Sequence, residues 1–269
     1  MTDNDVRFAA DLSTAEGWGF YDVDFQRLVA LDPEGCFIAR REGVRVGMVC
    51  TASYGTHAFI GCLIVKREAR GRDVGRMLMQ TAIQYLDKKN ITTIELDGVI
   101  AAVLMYRKLG FKDKYLSYRM SIDEHRNSAA APFPPVDIPE IVRFDLAKTG
   151  IERSAVLYRL LQEYSEGICA VYDEGIRGYG LIRQREGGFS MIGPLVAEDD
   201  TYADELVRRL LSRAAHERVV VGVPGVARRA VDVMLGNGFL YTQPSLRMYR
   251  GERIEYESCV YGILGPEKG

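Results

Sequence analysis

The sequence predicts an α/β protein built as two similar halves, each a mixed, mainly antiparallel sheet flanked by helices. Three observations lead there. Short β-rich runs broken by glycine alternate with stretches of helical apolar spacing. The order of these elements occurs twice along the chain. Between the two occurrences lies Asn127–Pro139, whose Pro132, Pro134, Pro135 and Pro139 suit an extended, semi-rigid connector. Two domains are therefore expected, residues 1–126 and 140–269, joined by a linker at 127–139 and each of ordinary size for a domain.

In the first half, Val6–Ala10 reads as a strand and the stretch to about Leu31 as helix. Cys36–Arg40, Val44–Ala52 and His57–Val65 read as strands, with Gly43 and Gly55 where hairpin turns fall. Val74, Met77, Leu78, Ala82, Tyr85 and Leu86 set a helix over Val74–Lys88. A β-rich run, Ile91–Leu96, leads to a second helix ending at Lys108. Gly110 closes that helix and Phe111–Ile122 forms a last strand.

The second half follows the same plan. Ile141–Leu146 is expected as a strand and Ile151–Tyr164 as a helix. Cys169–Asp173, Tyr179–Arg183 and Phe189–Ala197 read as strands. Asp204–Ala215 follows as a helix, then strand Val219–Val223, helix Arg228–Leu235 and strand Phe239–Tyr249. Landmarks coincide: Gly110-Phe111 and Gly238-Phe239 follow equivalent helices. Arg119-Met120 and Arg247-Met248 sit at the same distance beyond them. The tail, Glu255–Gly269, fits either a return strand or a loose end.

Composition narrows the function classes. Of 269 residues, 47% are hydrophobic and 27% charged, as in an ordinary globular protein. No run is apolar enough for a membrane span, and Met1–Asp5 lacks the basic and apolar regions of a secretory leader, so a cytoplasmic location is expected. The net charge of −2 gives no general attraction to nucleic acid or to an anionic membrane. Cys36, Cys50, Cys62, Cys169 and Cys259 show no CxxC spacing, and histidines are few. Buried thiols are expected rather than a disulfide framework or a metal site. The oligomeric state stays open, a homodimer included.

The chemistry concentrates in Leu63-Ile64-Val65-Lys66-Arg67-Glu68-Ala69-Arg70-Gly71-Arg72-Asp73-Val74-Gly75-Arg76. Here a strand ends, a basic, glycine-bearing turn follows, and a helix begins. The unpaired amides and dipole of a helix start attract an anion. Gly71 and Gly75 allow close approach, and Lys66, Arg67, Arg70, Arg72 and Arg76 surround the turn with cations. A pyrophosphate is the natural occupant.

This stretch resembles the acyl-CoA motif of the GNAT acetyltransferases, Gln/Arg-x-x-Gly-x-Gly/Ala, with Arg70 first and Gly75 last. Leu104-Met105-Tyr106-Arg107-Lys108-Leu109-Gly110-Phe111 is similar to the family's later motif. Glu95-Leu96-Asp97, and Trp18 placed in the first helix, extend the likeness to tandem GNAT proteins. The resemblance implies acetyl-CoA as co-substrate, held by Leu63, Ile64, Val65, Arg70, Gly71, Arg72, Asp73, Val74, Gly75 and Arg76, with no metal. It also implies direct transfer to a primary amine, a small molecule being preferred. An amide near Val65 would steady the oxyanion, and Tyr106 would be the general acid. Trp18, Tyr21, His57 and Asp97 are the acceptor-side candidates. His57, Asp97, Tyr21 and Asp22, or a water relay, compete as the base.

Asp73 departs from the family, whose middle glycine it replaces. Aspartate tolerates unusual backbone angles and caps helices, so the turn can survive. In the second half the matching stretch, Ala197-Glu198-Asp199-Asp200-Thr201-Tyr202-Ala203-Asp204, has no glycine and four acids, so no CoA is expected there. Two rival readings stand beside the enzyme: a non-catalytic acyl-CoA sensor or interaction module, and an unrelated nucleotide enzyme. The second lacks both GxxxxGK[ST] and GxGxxG.

Overall fold

The computed structural model describes residues 1–123, 133–214 and 218–269. Two helices open the chain, α1 (Asp3–Ala15) and α2 (Asp22–Leu31). The strand expected over Val6–Ala10 is thus helical. Thr2 and Asp5 form a capping box that starts α1, and Val6, Ala9, Ala10 and Leu12 bury one helical face. The break between α1 and α2 falls at Gly17 and Gly19, which take φ of 75° and 63°. Trp18 consequently sits in this loop and not within a helix.

A meander follows: β1 (Cys36–Arg41), β2 (Val44–Tyr54) and β3 (His57–Val65). Then come α3 (Val74–Lys88), β4 (Thr93–Gly98), α4 (Val103–Lys108) and β5 (Lys112–Ile122), close to the expected bounds. The second half again begins with two helices, α5 (Ile138–Thr149) and α6 (Ser154–Glu163). The strand expected over Ile141–Leu146 lies inside α5, because Asp137 caps the Glu140 amide and Pro139 occupies the first turn. The connector therefore ends at Asp137 rather than Pro139, and its residues 127–132 lie outside the described residues. The remaining elements are β6 (Ile168–Tyr172), β7 (Ile176–Arg185), β8 (Phe189–Ala197), α7 (Asp200–Arg213), β9 (Arg218–Pro224) and α8 (Arg228–Gly236). The expected end of α7, Ala215, also lies outside the described residues. The anticipated last strand is divided into β10 (Leu240–Tyr241) and β11 (Ser245–Gly251), with Pro244 between them. The tail contributes β12 (Val260–Gly262).

Among the described residues, twelve strands join one mixed sheet, its main path β1-β2-β3-β4-β11-β5-β9-β8-β7-β6. The order records an exchange. β11, from the second half, pairs with β4 and sets Met248 opposite Leu96. β5, from the first half, pairs with β9 and sets Met120 opposite Val221. β11 and β5 then pair with each other. Each half is completed by the other's final long strand, and the repeated Arg-Met pairs mark equivalent places in the exchange.

Strand alternation divides the core between two faces. Met48 and Cys50 of β2 join the cluster beneath α1, α2, α5 and α6, which draws on both halves. Val49 between them joins a second cluster with Leu78, Met79 and Leu86 of α3. Leu206, Leu210 and Met234 close a third beneath α7 and α8.

Candidate functional site

The site begins where two parallel strands part. β3 and β4 pair only through His57–Phe59 and Thr93–Glu95. Beyond that point β3 keeps its partner β2 as far as Val65, and β4 keeps β11 as far as Gly98. The two strands diverge while each stays paired on its outer side, which opens a wedge inside a continuous sheet. A register break opposite Met48–Cys50 accompanies it, and Cys62 takes a φ of 54° there. Such a bulge bends its strand and frees backbone groups from the ladder. No residue pattern announced it: Cys62 is not a residue type expected at positive φ.

At the outer end of β3 the basic turn leads into α3. Asp73 is its N-cap residue, with φ 59° and ψ 2°, a left-handed conformation that aspartate tolerates. Its carboxylate makes no cap hydrogen bond and lies 3.2 Å from Arg76 Nε instead. The helix start thus retains amides that no side chain caps, the arrangement that binds an anion. Arg70 Nε donates to the Val65 carbonyl at 2.9 Å, and its other arm meets Glu16 at 2.5 Å. Arg70 therefore fixes the turn against the strand end and against α1. Gly71, at φ 73°, Arg72 and Arg76 are exposed on the same turn. Val74 is buried beneath it, and Gly75 faces the Val65 and Met105 side chains.

Inward of the turn lies a cavity of about 370 Å³. Leu63, Asp97, Tyr106 and Trp18 line it; Ile64 is buried beside them, and Val65 is half-buried at the strand end. The second half supplies Arg185, Phe189, Met191 and Gly222, while Pro266 and Glu267 come from the tail. Gly19 makes this meeting of halves close: a Cβ there would lie 2.2 Å from the Glu186 carbonyl oxygen. Trp18 then stands at the cavity with its ring edge-on to Phe20.

Tyr106 is buried, and that burial pushes its phenol up to about 12. Its ring packs against Gly98, where a Cβ would come within 2.7 Å of it. Asp97 occupies the wall as a structural anion. Arg247 Nε and Nη2 reach it at 2.8 and 3.2 Å, and Arg119 Nη2 at 3.4 Å. Burial alone would raise this carboxyl, but Arg247 and then Arg119 hold it below the usual carboxylate range. A base needs the opposite shift.

The other two acceptor-side candidates lie elsewhere. Tyr21 is the exposed N-cap residue of α2. His57 is buried between Tyr54 and Tyr256, its Nε2 3.4 Å from Glu95 Oε2. Neither lines the cavity. Sequence reasoning missed Gly98, Arg119 and Glu267. The repeat carried a signal for Arg119, as the partner of Arg247. Glu267 carried none.

The second half has an equivalent wedge and fills it with its own chain. β8 and β9 run parallel through Phe189–Ile192 and Arg218–Val221. Beyond this, β12 pairs with β8, Val260 opposite Val196 and Gly262 opposite Leu195. The helix start is also satisfied internally: Asp199 accepts from the Thr201 and Tyr202 amides at 2.9 and 3.2 Å. Tyr261 of β12 donates to Asp200 at 2.6 Å.

Comparison with known proteins bears on both halves. A profile of the acetyltransferase (GNAT) family matches residues 7–111, and one of the acetyltransferase (GNAT) domain matches residues 141–262. The chain belongs to the GNAT acetyltransferase superfamily. It is an acyltransferase with two GNAT domains, and the family uses acetyl-CoA. Among solved structures, a candidate acetyltransferase from Pyrococcus horikoshii is similar over 100% of this chain and 94% of its own, at 24% identity and TM-score 0.83. A GCN5-related N-acetyltransferase from Sphaerobacter thermophilus covers 94% of this chain and 95% of its own, at 14% identity and TM-score 0.63. Eis1 from Mycobacterium abscessus covers 93% and 71%, at 14% identity and TM-score 0.54. At these identities the likeness is one of fold. A search of curated proteins finds no match. For the GNAT co-substrate, the uncapped start of α3 and the parted edge of β3 offer what a pyrophosphate and its pantetheine arm require.

Among the described residues, no group of three or more Cys, His, Asp or Glu side chains is placed to hold a metal. No described helix is long and apolar enough to cross a membrane.

Proposed function

We propose that the chain transfers acetyl from acetyl-CoA, bound only in the first half, to a primary amine of a small molecule held in the cavity between the halves. The observation that carries this reading is the contrast between two equivalent helix starts. α3 has no side-chain cap and faces an open wedge, whereas α7 is capped by Asp199 and faces a wedge filled by β12. In this reading the division into domains 1–126 and 140–269 is one of sequence, and the cofactor site belongs to the first.

In the transfer, the neutral amine attacks the thioester carbonyl, forming a C–N bond as the C–S bond breaks. Tyr106 stays protonated at any working pH because burial holds its phenol near 12. It gives that proton to the departing sulfur and regains one from the acylated nitrogen, so the amine's proton ends on the thiol. Arg70 acts by holding the Val65 carbonyl and the turn, and Arg72 and Arg76 supply charge toward the phosphates. Preference for a small acceptor follows from the walls supplied by the second half, which enclose the cavity. The fold-level likenesses include a structure described as a glucosamine N-acetyltransferase region, covering 93% of this chain and 37% of its own, at 12% identity and TM-score 0.68.

Calorimetric titration with acetyl-CoA tests the reading. One site per chain is expected. Two sites would refute the assignment of the second wedge as closed, and none would remove the enzyme reading. Binding at one site with no turnover across a broad panel of amines would favour a sensor.

A further inference from the structure

The charged groups lining the cavity fall into two kinds. Arg185 is bound to Asp24 at 3.0 Å, Arg218 to Asp123 at 3.1 Å, and Asp97 to Arg247. Three polar atoms of other cavity-lining residues have no hydrogen-bond partner among the described residues: Arg119 Nη1, Glu267 Oε2 and Ser245 Oγ. Glu267 and Ser245 are 3% and 6% exposed, so water compensates neither side chain well. Buried polar groups are almost always satisfied, and an unsatisfied set gathered on one cavity marks a place where a ligand completes it.

The internal repeat explains how Arg119 Nη1 came to lack a partner. Arg247 lies across the sheet from Asp97, which takes its guanidinium in two hydrogen bonds. The equivalent Arg119 lies across from Gly222. A carboxylate is present in one copy and a hydrogen in the other, and Arg119 Nη1 occupies the space a Gly222 side chain would need, 2.6 Å from its would-be Cβ. Arg119 leans partly on Asp97 through Nη2, which leaves Nη1 for another anion. Opposite in charge, Glu267 is brought in by the tail. Its backbone lies so close to Gly61 that a Cβ there would fall 2.5 Å from the Glu267 carbonyl oxygen. The Tyr54 hydroxyl fastens the next residue through the Lys268 carbonyl at 2.9 Å. One carboxylate oxygen meets Lys268 Nζ, and the other is the unpartnered Oε2.

We propose that the acceptor is an amine bearing a second, anionic group, its nitrogen donating to Glu267 Oε2 and its anion taken by Arg119 Nη1 with the Ser245 hydroxyl. This rests on the acetyl-transfer reading and specifies its substrate class. Lys268, Arg183 and Arg185 keep Glu267 ionised by outweighing its burial, which suits a group that holds an amine.

The test uses the full chain with acetyl-CoA and the ω-amino acids from glycine to 6-aminohexanoate, each beside the n-alkylamine of equal length. The series scans the separation between the two charges. At least one amino acid should be acetylated with a kcat/KM ten-fold or more above its alkylamine. Arg119→Gln should abolish that preference, and Arg119→Lys should restore part of it. Glu267→Gln should raise KM about ten-fold for amino acids and alkylamines alike. Acetyl-CoA affinity should stay unchanged in all three variants, which also shows that they fold. Equal use of the paired acceptors, preference for the alkylamines, or no turnover of any while acetyl-CoA still binds would overturn the proposal. Failure of wild-type protein to bind acetyl-CoA would instead overturn the reading it rests on.

Discussion

Replacing Asp97 with asparagine separates a structural carboxylate from a catalytic one. Arg247 has no exposed side-chain surface, and Asp97 accepts two hydrogen bonds from it at 2.8 and 3.2 Å. In Asp97→Asn one amide oxygen can still accept from the guanidinium, but the negative charge and the second acceptor are gone; the Tyr256 hydroxyl at 2.8 Å and Glu95 at 3.4 Å remain. Removing one partner of a buried ion pair costs about 3–5 kcal/mol where the remaining charge is left without compensation, and Glu95 places this case toward the lower end. For a chain of this size that corresponds to a fall in melting temperature of about 6–20 °C. Thermal and urea unfolding would read it. The double variant Asp97→Asn/Arg247→Met should lose less than the two single losses combined, since it removes the stranded charge as well. The sign with pH follows from the depressed carboxyl. Its contribution is complete above the ordinary aspartate value near 3.9 and is lost as pH falls through the lower folded value, so the gap between wild type and Asp97→Asn should narrow in acid. A folded Asp97→Asn protein with unchanged melting temperature and a hundred-fold loss in kcat would refute this and make Asp97 the base.

Two further outcomes follow from the site. Tyr106→Phe removes only the hydroxyl from a buried ring, so the fold should hold, while kcat falls by about 10²–10⁴ and acetyl-CoA affinity stays level. With the phenol near 12, the wild-type rate should rise with pH as the amine deprotonates and show no alkaline decline before about pH 11; a decline near 9 would point to another acid. Asp73→Gly should tighten acetyl-CoA binding modestly, by about three- to ten-fold and less at high salt, because Arg76 already screens the carboxylate at 3.2 Å. Calorimetry would check it, with Arg208→Ala on α7 as a control expected to change nothing.

The sequence showed much of the local structure. The bounds of β3, α3 and β8 follow from apolar spacing and from glycines at turns, and the structure keeps them. Val6–Ala10 and Ile141–Leu146 were misread because short apolar runs suit either period. The deciding signals are the caps just before them, Thr2 with Asp5 and Asp137 with Pro139. Leu63, Asp97, Tyr106 and Trp18, candidates on the family resemblance, all line the cavity. His57, a candidate on residue type alone, is kept from the cavity by tertiary packing, buried between Tyr54 and Tyr256.

Least legible was the strand exchange, and it decides what the cavity is. Two separate sheets would give each half its own β-wedge and its own final strand. Exchange instead places Arg247 of the second half against Asp97 of the first, and Arg119 of the first against Gly222 of the second. The same step brings the tail back, so that β12 closes one wedge while Glu267 enters the cavity beside the other. At the matched Arg-Met pairs the repeat differs across the strand by one residue, Gly222 where the other copy has Asp97. That asymmetry leaves Arg119 Nη1 without a hydrogen-bond partner among the cavity-lining residues, while Nη2 reaches Asp97 at 3.4 Å. On the proposed reading, a closed second wedge and an acceptor wall for the first are then two results of the same rearrangement.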